Sequence, residues 1–208
     1  MYLHHTPIFV QKILPSYTWR RKNAQKVVYL TFDDGPIPEV TTWVLQLLAL
    51  YNAKATFFCV GENIQKHPEV YKQVLAEGHS VGNHTYNHLK GMNVSDEEYI
   101  ENTKLCAEAM SKEPFVGKLF RPPYGKIKFS QTRKLKTLGY EIILWDVLTG
   151  DFDAKLTKEK CLSASLNATK SGSIVVFHDS LKTYEKLQFV LPQYLKVLSE
   201  QGYQFRAL

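Results

Sequence analysis

Val27-Val28-Tyr29-Leu30-Thr31-Phe32-Asp33-Asp34-Gly35-Pro36 is the stretch whose reading decides the fold. An apolar, β-favouring run ends in two adjacent acids and a Gly-Pro turn. A short run apolar on both faces is what a parallel strand covered by helices requires. Acids at the end of such a strand sit where the loops of a barrel of parallel strands converge on one mouth. An open doubly wound sheet would instead carry a glycine-rich phosphate loop after its first strand. Two aspartates stand at that place, which favours a metal over a nucleotide.

The same pattern recurs along the chain. Strand-like runs fall at 27–32, 55–60, 79–82, 118–120, 140–145, 173–177 and 203–206. Amphipathic stretches lie between them at 39–51, 68–77, 95–110, 130–138, 157–169 and 184–200. Ser95 with Glu98 offers a capping box at the start of one stretch. Gly78, Gly139 and Gly202 each stand between a helical stretch and a strand, where a helix-ending glycine belongs. The expected fold is α/β: an irregular or incomplete (β/α) barrel of about seven parallel strands, with its active site at their C-terminal ends. Residues 27–208 read as one catalytic domain, and 1–26 as an N-terminal extension packed outside it.

Composition narrows the function classes. The chain has 208 residues, 44% of them apolar, which suits one domain with a sizeable core. No apolar run approaches the roughly 20 residues of a membrane-spanning helix, and the start lacks a secretory apolar core. A cytoplasmic or peripherally membrane-associated protein is expected. The net charge is +6, with basic clusters at 20–26 and 126–136. Solvated surface accounts for both, and no nucleic-acid motif accompanies them. The first cluster adjoins Ile8, Phe9, Ile13 and Trp19, which suits shallow contact with a membrane surface. Cys59, Cys106 and Cys161 are odd in number and widely spaced, so neither a disulfide framework nor a zinc ribbon is indicated.

Residues able to do chemistry follow five of the apolar runs. Asp33 and Asp34 must diverge in an extended backbone, leaving one carboxylate for a cation and the other for a water. His84 and His88 share a face if their segment is helical, a spacing that suits one divalent ion. Asp34 is the obvious third ligand, since two histidines and a carboxylate leave positions open for water and substrate. Arg121 begins Arg121-Pro122-Pro123-Tyr124; the prolines remove two donors, so the Tyr124 amide is the next free one, and Arg121 can pair with a cleft carboxylate. His178, after another apolar run, suits a general acid, with Asp151 or Asp179 to orient it. His67 and His79 read as cap or packing residues, and His4 and His5 show no partner.

These segments, in this order, resemble the NodB-homology polysaccharide deacetylases, carbohydrate esterase family 4, over almost the whole chain from Val27 to Leu208. Thr31–Pro36, His84–His88, Arg121–Tyr124, Trp145–Phe152 and Val176–Asp179 are similar to that family's successive motifs. The resemblance implies Asp33 as base, Asp34, His84 and His88 as metal ligands, and an arginine, Arg121, touching the base. It also implies an oxyanion contact from the Tyr124 amide, His178 as acid tuned by Asp151, and Phe152 and Val176 lining an acetyl-methyl pocket, with Trp145 beside the substrate. Leu148, Phe152 and Val176 depart from the residues usual there, which bears on substrate placement rather than on the catalytic groups.

The expected activity is metal-dependent hydrolysis of N-acetyl groups on an N-acetylhexosamine-containing glycan or glycan precursor, releasing acetate. Zinc is the default divalent ion, with cobalt, nickel or manganese as substitutes. Two alternatives stay open: hydrolysis of a nonsugar amide, imide or formamide, and a noncatalytic glycan-binding module.

Overall fold

The structure, a computed structural model, describes residues 3–22, 25–112 and 118–208. Met1, Tyr2, Asn23 and Ala24 of the expected extension lie outside the described residues. Eight strands form one sheet: β1 (Val27–Asp33), β2 (Thr56–Cys59), β3 (Ser80–Asn83), β4 (Leu119–Phe120), β5 (Glu141–Ile142), β6 (Val147–Leu148), β7 (Ile174–His178) and β8 (Gln204–Phe205). The helices are α1 (Ile8–Ile13), α2 (Pro38–Leu50), α3 (Gly61–Lys66), α4 (Pro68–Ala76), α5 (Asp96–Met110), α6 (Phe129–Thr137), α7 (Lys158–Ala168) and α8 (Tyr184–Glu200).

The ladder runs β5-β4-β3-β2-β1-β7-β6, with every pair parallel. First and last strands of the barrel are therefore neighbours, as closure requires, and the break falls between β5 and β6. This order rules out the open doubly wound sheet. β8 pairs with the opening residues of β1, Val27 and Val28, and adds a short strand at the bottom of the barrel.

Two expectations shift. The run 140–145 contributes a ladder only at Glu141–Ile142, and the seventh barrel strand is β6, hidden inside the Trp145–Phe152 segment. A two-residue strand has no periodicity to read. The seam between β5 and β6 is covered by the N-terminal segment. Thr18 bridges to Ile143 and His5 to Val147, while Leu148 N–H donates to the His4 carbonyl and Thr6 N–H to that of Asp146. His4 and His5, expected to lack partners, thus sit against β6; the His4 imidazole also bonds Leu148 O at 3.0 Å. Arg20 reaches Asp146, which is buried and also accepts from Ile174 N–H and Ser173 Oγ.

Strand alternation separates two interiors. Val28, Leu30 and Phe32 of β1 face the helices and join the main core with Val44, Leu48, Leu191 and Leu195. Tyr29, on the alternate face, points into the barrel with Phe58, Ile143 and Ile174. Thr31 and Asp33 share that inward face, and this alternation delivers Asp33 to the mouth.

Local signals behave as expected. Ser95 Oγ accepts from Glu98 N–H at 3.1 Å, and Gly78, Gly139 and Gly202 adopt φ of 75°, 86° and 80° just past α4, α6 and α8. All three cysteines are free and buried. His67 stands at the N-cap position of α4 without a side-chain cap bond; His79 accepts from Ala55 N–H and packs on Phe57, so burial keeps it neutral, its pKa down at about 4. Among the described residues no helix is long and apolar enough to cross a membrane.

Candidate active site

Asp33 ends β1, where it lies in register with His178 at the end of β7. The chain then turns sharply: Asp34 has φ of 85°, so its carboxylate leaves the line of Asp33. Gly35 follows because its α-carbon abuts a carboxylate. A Cβ there would stand 2.1 Å from Asp179 Oδ2. Asp179 accepts from Gly35 N–H at 3.1 Å and from Thr41 Oγ1 at 2.5 Å. It therefore holds the Asp-Asp-Gly-Pro turn instead of serving as a partner to the His178 imidazole.

His84 and His88 follow β3 in a loop, not a helix. Left-handed φ values at Thr85 (64°) and His88 (57°) curl the loop, and the two rings come to 5.1 Å between centroids. Asn83 Oδ1 accepts from Thr85 N–H, and Thr85 Oγ1 from Leu89 N–H, fixing the curl. The expectation of a shared helical face fails, yet the imidazoles still converge. Asp34 Oδ1 lies 3.8 Å from His84 Nε2 and 3.4 Å from His88 Nε2. One ligand atom from each of these three residues lies within 4.8 Å of the others.

Three observations fit this cluster to a divalent cation. Asp34 Oδ1 is buried and has no hydrogen-bond partner among the described residues, a costly state without a cation to face. The His84 Nδ1–H donates to Arg121 O at 2.8 Å, which leaves the Nε2 lone pair directed at the cluster. Burial, aided by neighbouring His88, outweighs Asp33 and Asp34 and lowers the His84 pKa to about 4, so the ring is neutral and able to ligate.

Arg121 plugs the barrel axis. Its side chain is wholly buried and pairs with Asp33 Oδ1 at 2.7 Å. Nη1 also donates to Thr31 Oγ1, Nε to Ile143 O and Nη2 to Leu144 O. Its guanidinium lies 4.0 Å from the Phe58 ring centroid and 5.7 Å from that of Trp145. Burial raises the Asp33 pKa, but Arg121, with His84 and His178, overcomes it and holds the carboxyl below the usual range.

At the end of the neighbouring strand β7, His178 Nδ1–H donates to Asp151 Oδ1 at 2.8 Å, and Asp151 Oδ2 accepts the His178 backbone N–H at 2.7 Å. Burial opposes the charged imidazole, but Asp151 outweighs it and lifts the pKa to about 9. Phe152 packs edge-on against His178 with centroids 5.3 Å apart. Val176 occupies the same face of β7 two residues earlier and is buried. Tyr124 takes φ of 60° between Pro123 and Gly125, and its ring lies 4.7 Å from that of His88. Trp145 packs close to Gly125.

Asp33, Asp34, His84, His88, Arg121, Tyr124, Asp151, Phe152 and His178 are thus at or beside one mouth. Two supporting residues escaped sequence reading. Thr31 anchors Arg121; its place two residues before Asp33, on the same strand face, was the available signal. Asn63, on the six-residue α3, donates to Asp34 O at 2.7 Å. So short a helix carries no periodic signal.

The polysaccharide deacetylase family pattern matches residues 20–143. The chain belongs to the polysaccharide deacetylase family. It is 41% identical over 193 residues to a peptidoglycan-N-acetylglucosamine deacetylase of Bacillus cereus, covering 90% of this chain and 89% of that one. It is 33% identical to the peptidoglycan-N-acetylmuramic acid deacetylase PdaC of Bacillus subtilis, over 86% of this chain but 37% of that longer protein. Among solved structures it is similar to the peptidoglycan N-acetylglucosamine deacetylase Bc1960, with a TM-score of 0.89, 30% identity, and coverage of 98% of this chain and 95% of that one. Deacetylases of this family are metal-dependent hydrolases, in keeping with the Asp34, His84 and His88 cluster.

Proposed function

We propose that this polysaccharide deacetylase hydrolyses the N-acetyl amide of an N-acetylhexosamine unit in a peptidoglycan-type glycan, giving acetate and a free amino sugar. The observation that carries the reading is that one mouth holds a potential metal cluster, a buried Asp33–Arg121 pair and an Asp151–His178 pair. A noncatalytic binding module needs neither pair.

Asp34, His84 and His88 would hold the ion. The chemistry supplied by a divalent cation there, zinc in our reading with cobalt, nickel or manganese as substitutes, is carbonyl polarisation and acidification of a water. Arg121 keeps Asp33 ionised, so the carboxylate is ready to accept a proton as water adds to the acetyl carbon. The Tyr124 amide donates to the oxygen on which negative charge develops. His178, protonated at neutral pH and oriented by Asp151, gives its proton from Nε2 to the leaving nitrogen as the C–N bond breaks. Phe152 and Val176 present apolar surface for the acetyl methyl.

The test is acetate release by the zinc-loaded chain from peptidoglycan fragments and N-acetylglucosamine oligomers, with a chelated control. Metal-dependent acetate from either is expected, and Asp33→Asn should abolish it while metal stays bound. Turnover by Asp33→Asn at the parent rate would remove Asp33 as the base.

A further inference from the structure

α1 turns its apolar side to solvent. With about 100° of rotation per residue, Ile8, Lys12, Phe9 and Ile13 fall in that order along one arc of about 140°. All four are exposed, Ile8 at 55%, Phe9 at 64% and Ile13 at 70%, and no residue of α1 is buried. The side toward the barrel carries Val10 and Gln11, both half-buried. A surface helix that packs on a core does the reverse and turns its apolar stripe inward.

This orientation is pinned at both ends of the segment. Thr6 N–H donates to Asp146 O at 2.8 Å, Thr6 Oγ1 to Trp145 O at 2.9 Å, and Gln11 Nε2 returns to Thr6 O at 2.9 Å. Beyond the helix, Thr18 N–H donates to Ile142 O at 2.9 Å, and Arg20 pairs with buried Asp146 at 3.1 Å. α1 cannot roll its apolar arc inward without breaking these bonds.

Charge decides what covers the arc. Lys12 lies within it, and the adjoining cleft of about 700 Å³ includes Ile8, Lys12, Trp19, Arg20, Arg21 and Lys22 in a lining with no acidic residue. Arg20 and Arg21 are engaged by Asp146 and Glu141. Lys12 and Lys22 are exposed and form no ion pair among the described residues. A second copy of the chain is a poor occupant, because two-fold pairing of this face sets lysine near lysine with no acid between them. Large apolar tips beside uncompensated ammonium groups match the boundary of a bilayer with anionic headgroups.

We infer that α1 and its adjoining basic cleft dock the enzyme on an anionic lipid membrane. Ile8, Phe9 and Ile13 enter the acyl boundary, and Lys12 and Lys22 meet lipid phosphates. Among the described residues no hydrogen bond or ion pair joins these five side chains to the catalytic mouth, so docking and hydrolysis are separable by substitution.

The test uses the full chain with vesicles of phosphatidylcholine, alone or mixed with phosphatidylglycerol. Co-sedimentation is measured at low and high salt for the parent, Phe9→Ser/Ile13→Ser and Lys12→Ala/Lys22→Ala, with Tm showing that each variant is folded. The parent should bind the anionic vesicles about tenfold more tightly than the neutral ones, and high salt should remove most of that difference. Each double variant should lose about tenfold in binding to anionic vesicles at an unchanged Tm. Phe9→Trp keeps the apolar tip and covers the case of a serine variant that fails to fold. The emission it adds should move to the blue on anionic vesicles and be quenched by bromine-labelled acyl chains. Equal sedimentation with neutral and anionic vesicles, parent-level binding by Phe9→Ser/Ile13→Ser, or no quenching in Phe9→Trp overturns the inference. A vesicle-free dimer that Phe9→Ser/Ile13→Ser abolishes, with no binding to vesicles, assigns the face to a second copy and overturns it as well.

Discussion

Arg121 Nη1 and Asp33 Oδ1 meet at 2.7 Å inside the barrel, with the guanidinium wholly out of solvent. Removing one member of such a pair strands the other charge in an apolar interior. Arg121→Ala should therefore cost about 3–5 kcal/mol of stability, measured by urea denaturation. The sign with pH follows from the lowered Asp33 pKa. The pair's contribution is present above the ordinary carboxylate range and is lost as pH falls through the folded value. In Arg121→Ala only burial and the histidines remain, so the acid limb of the rate profile should move to higher pH. Arg121→Lys keeps the charge but not the fork to Thr31, Ile143 O and Leu144 O, and should rescue only part of the stability. An unchanged acid limb in Arg121→Ala would show that Arg121 does not hold Asp33 ionised.

Asp151 raises the His178 pKa to about 9, so removing its charge should lower it. For Asp151→Asn the alkaline limb of kcat/KM should shift down in pH, and His178 should titrate earlier by NMR. The folded pKa lies above the unfolded one. The pair's stabilisation is thus complete below about 6.5, the unfolded histidine value, and disappears as pH rises through about 9. Stability should accordingly depend less on alkaline pH in the variant than in the parent. Identical alkaline limbs would dissociate Asp151 from His178.

The orphaned Asp34 Oδ1 predicts that metal stabilises the fold. Adding zinc to metal-free protein should raise Tm, since a ligand at about 1,000 times its Kd contributes about 4 kcal/mol. His84→Ala should lose both the bound metal, read by elemental analysis, and the shift in Tm. An equal zinc-induced shift in His84→Ala would place the ion elsewhere.

Gly35 leaves no room for a side chain, because its Cβ would fall 2.1 Å from Asp179 Oδ2. Gly35→Ala should cost about 1–3 kcal/mol, the usual range for overpacking, and weaken metal binding by displacing Asp34. Pairing it with Asp179→Gly, which removes the obstructing carboxylate, should recover part of the loss. If Gly35→Ala alone leaves Tm unchanged, the turn is looser than its geometry indicates.

What was legible in the sequence was whatever is written in neighbouring residues. β1 and β7 are long apolar runs ending in Asp33 and His178, and their parallel partnership puts those residues in register. The caps at Ser95, Gly78, Gly139 and Gly202 depend on one or two residues each. β6 and α3 were not legible, since Val147–Leu148 and Gly61–Lys66 are too short to show a period. The helical reading of His84 to His88 failed for a related reason. Spacing alone does not separate one helical turn from a loop, and here positive φ at Thr85 and His88 produces the convergence.

By itself the sequence determined the alternation of strands and helices, the barrel class and the side chains available at the strand ends, because hydrophobic period and strand-end chemistry are local. Tertiary structure alone decided the partners. It sent Asp179 to Gly35 and Thr41, Asp151 to His178, and the N-terminal segment across the β5–β6 seam. Those choices join residues far apart in the chain, and they are set by which buried polar groups reach one another once the barrel has curled.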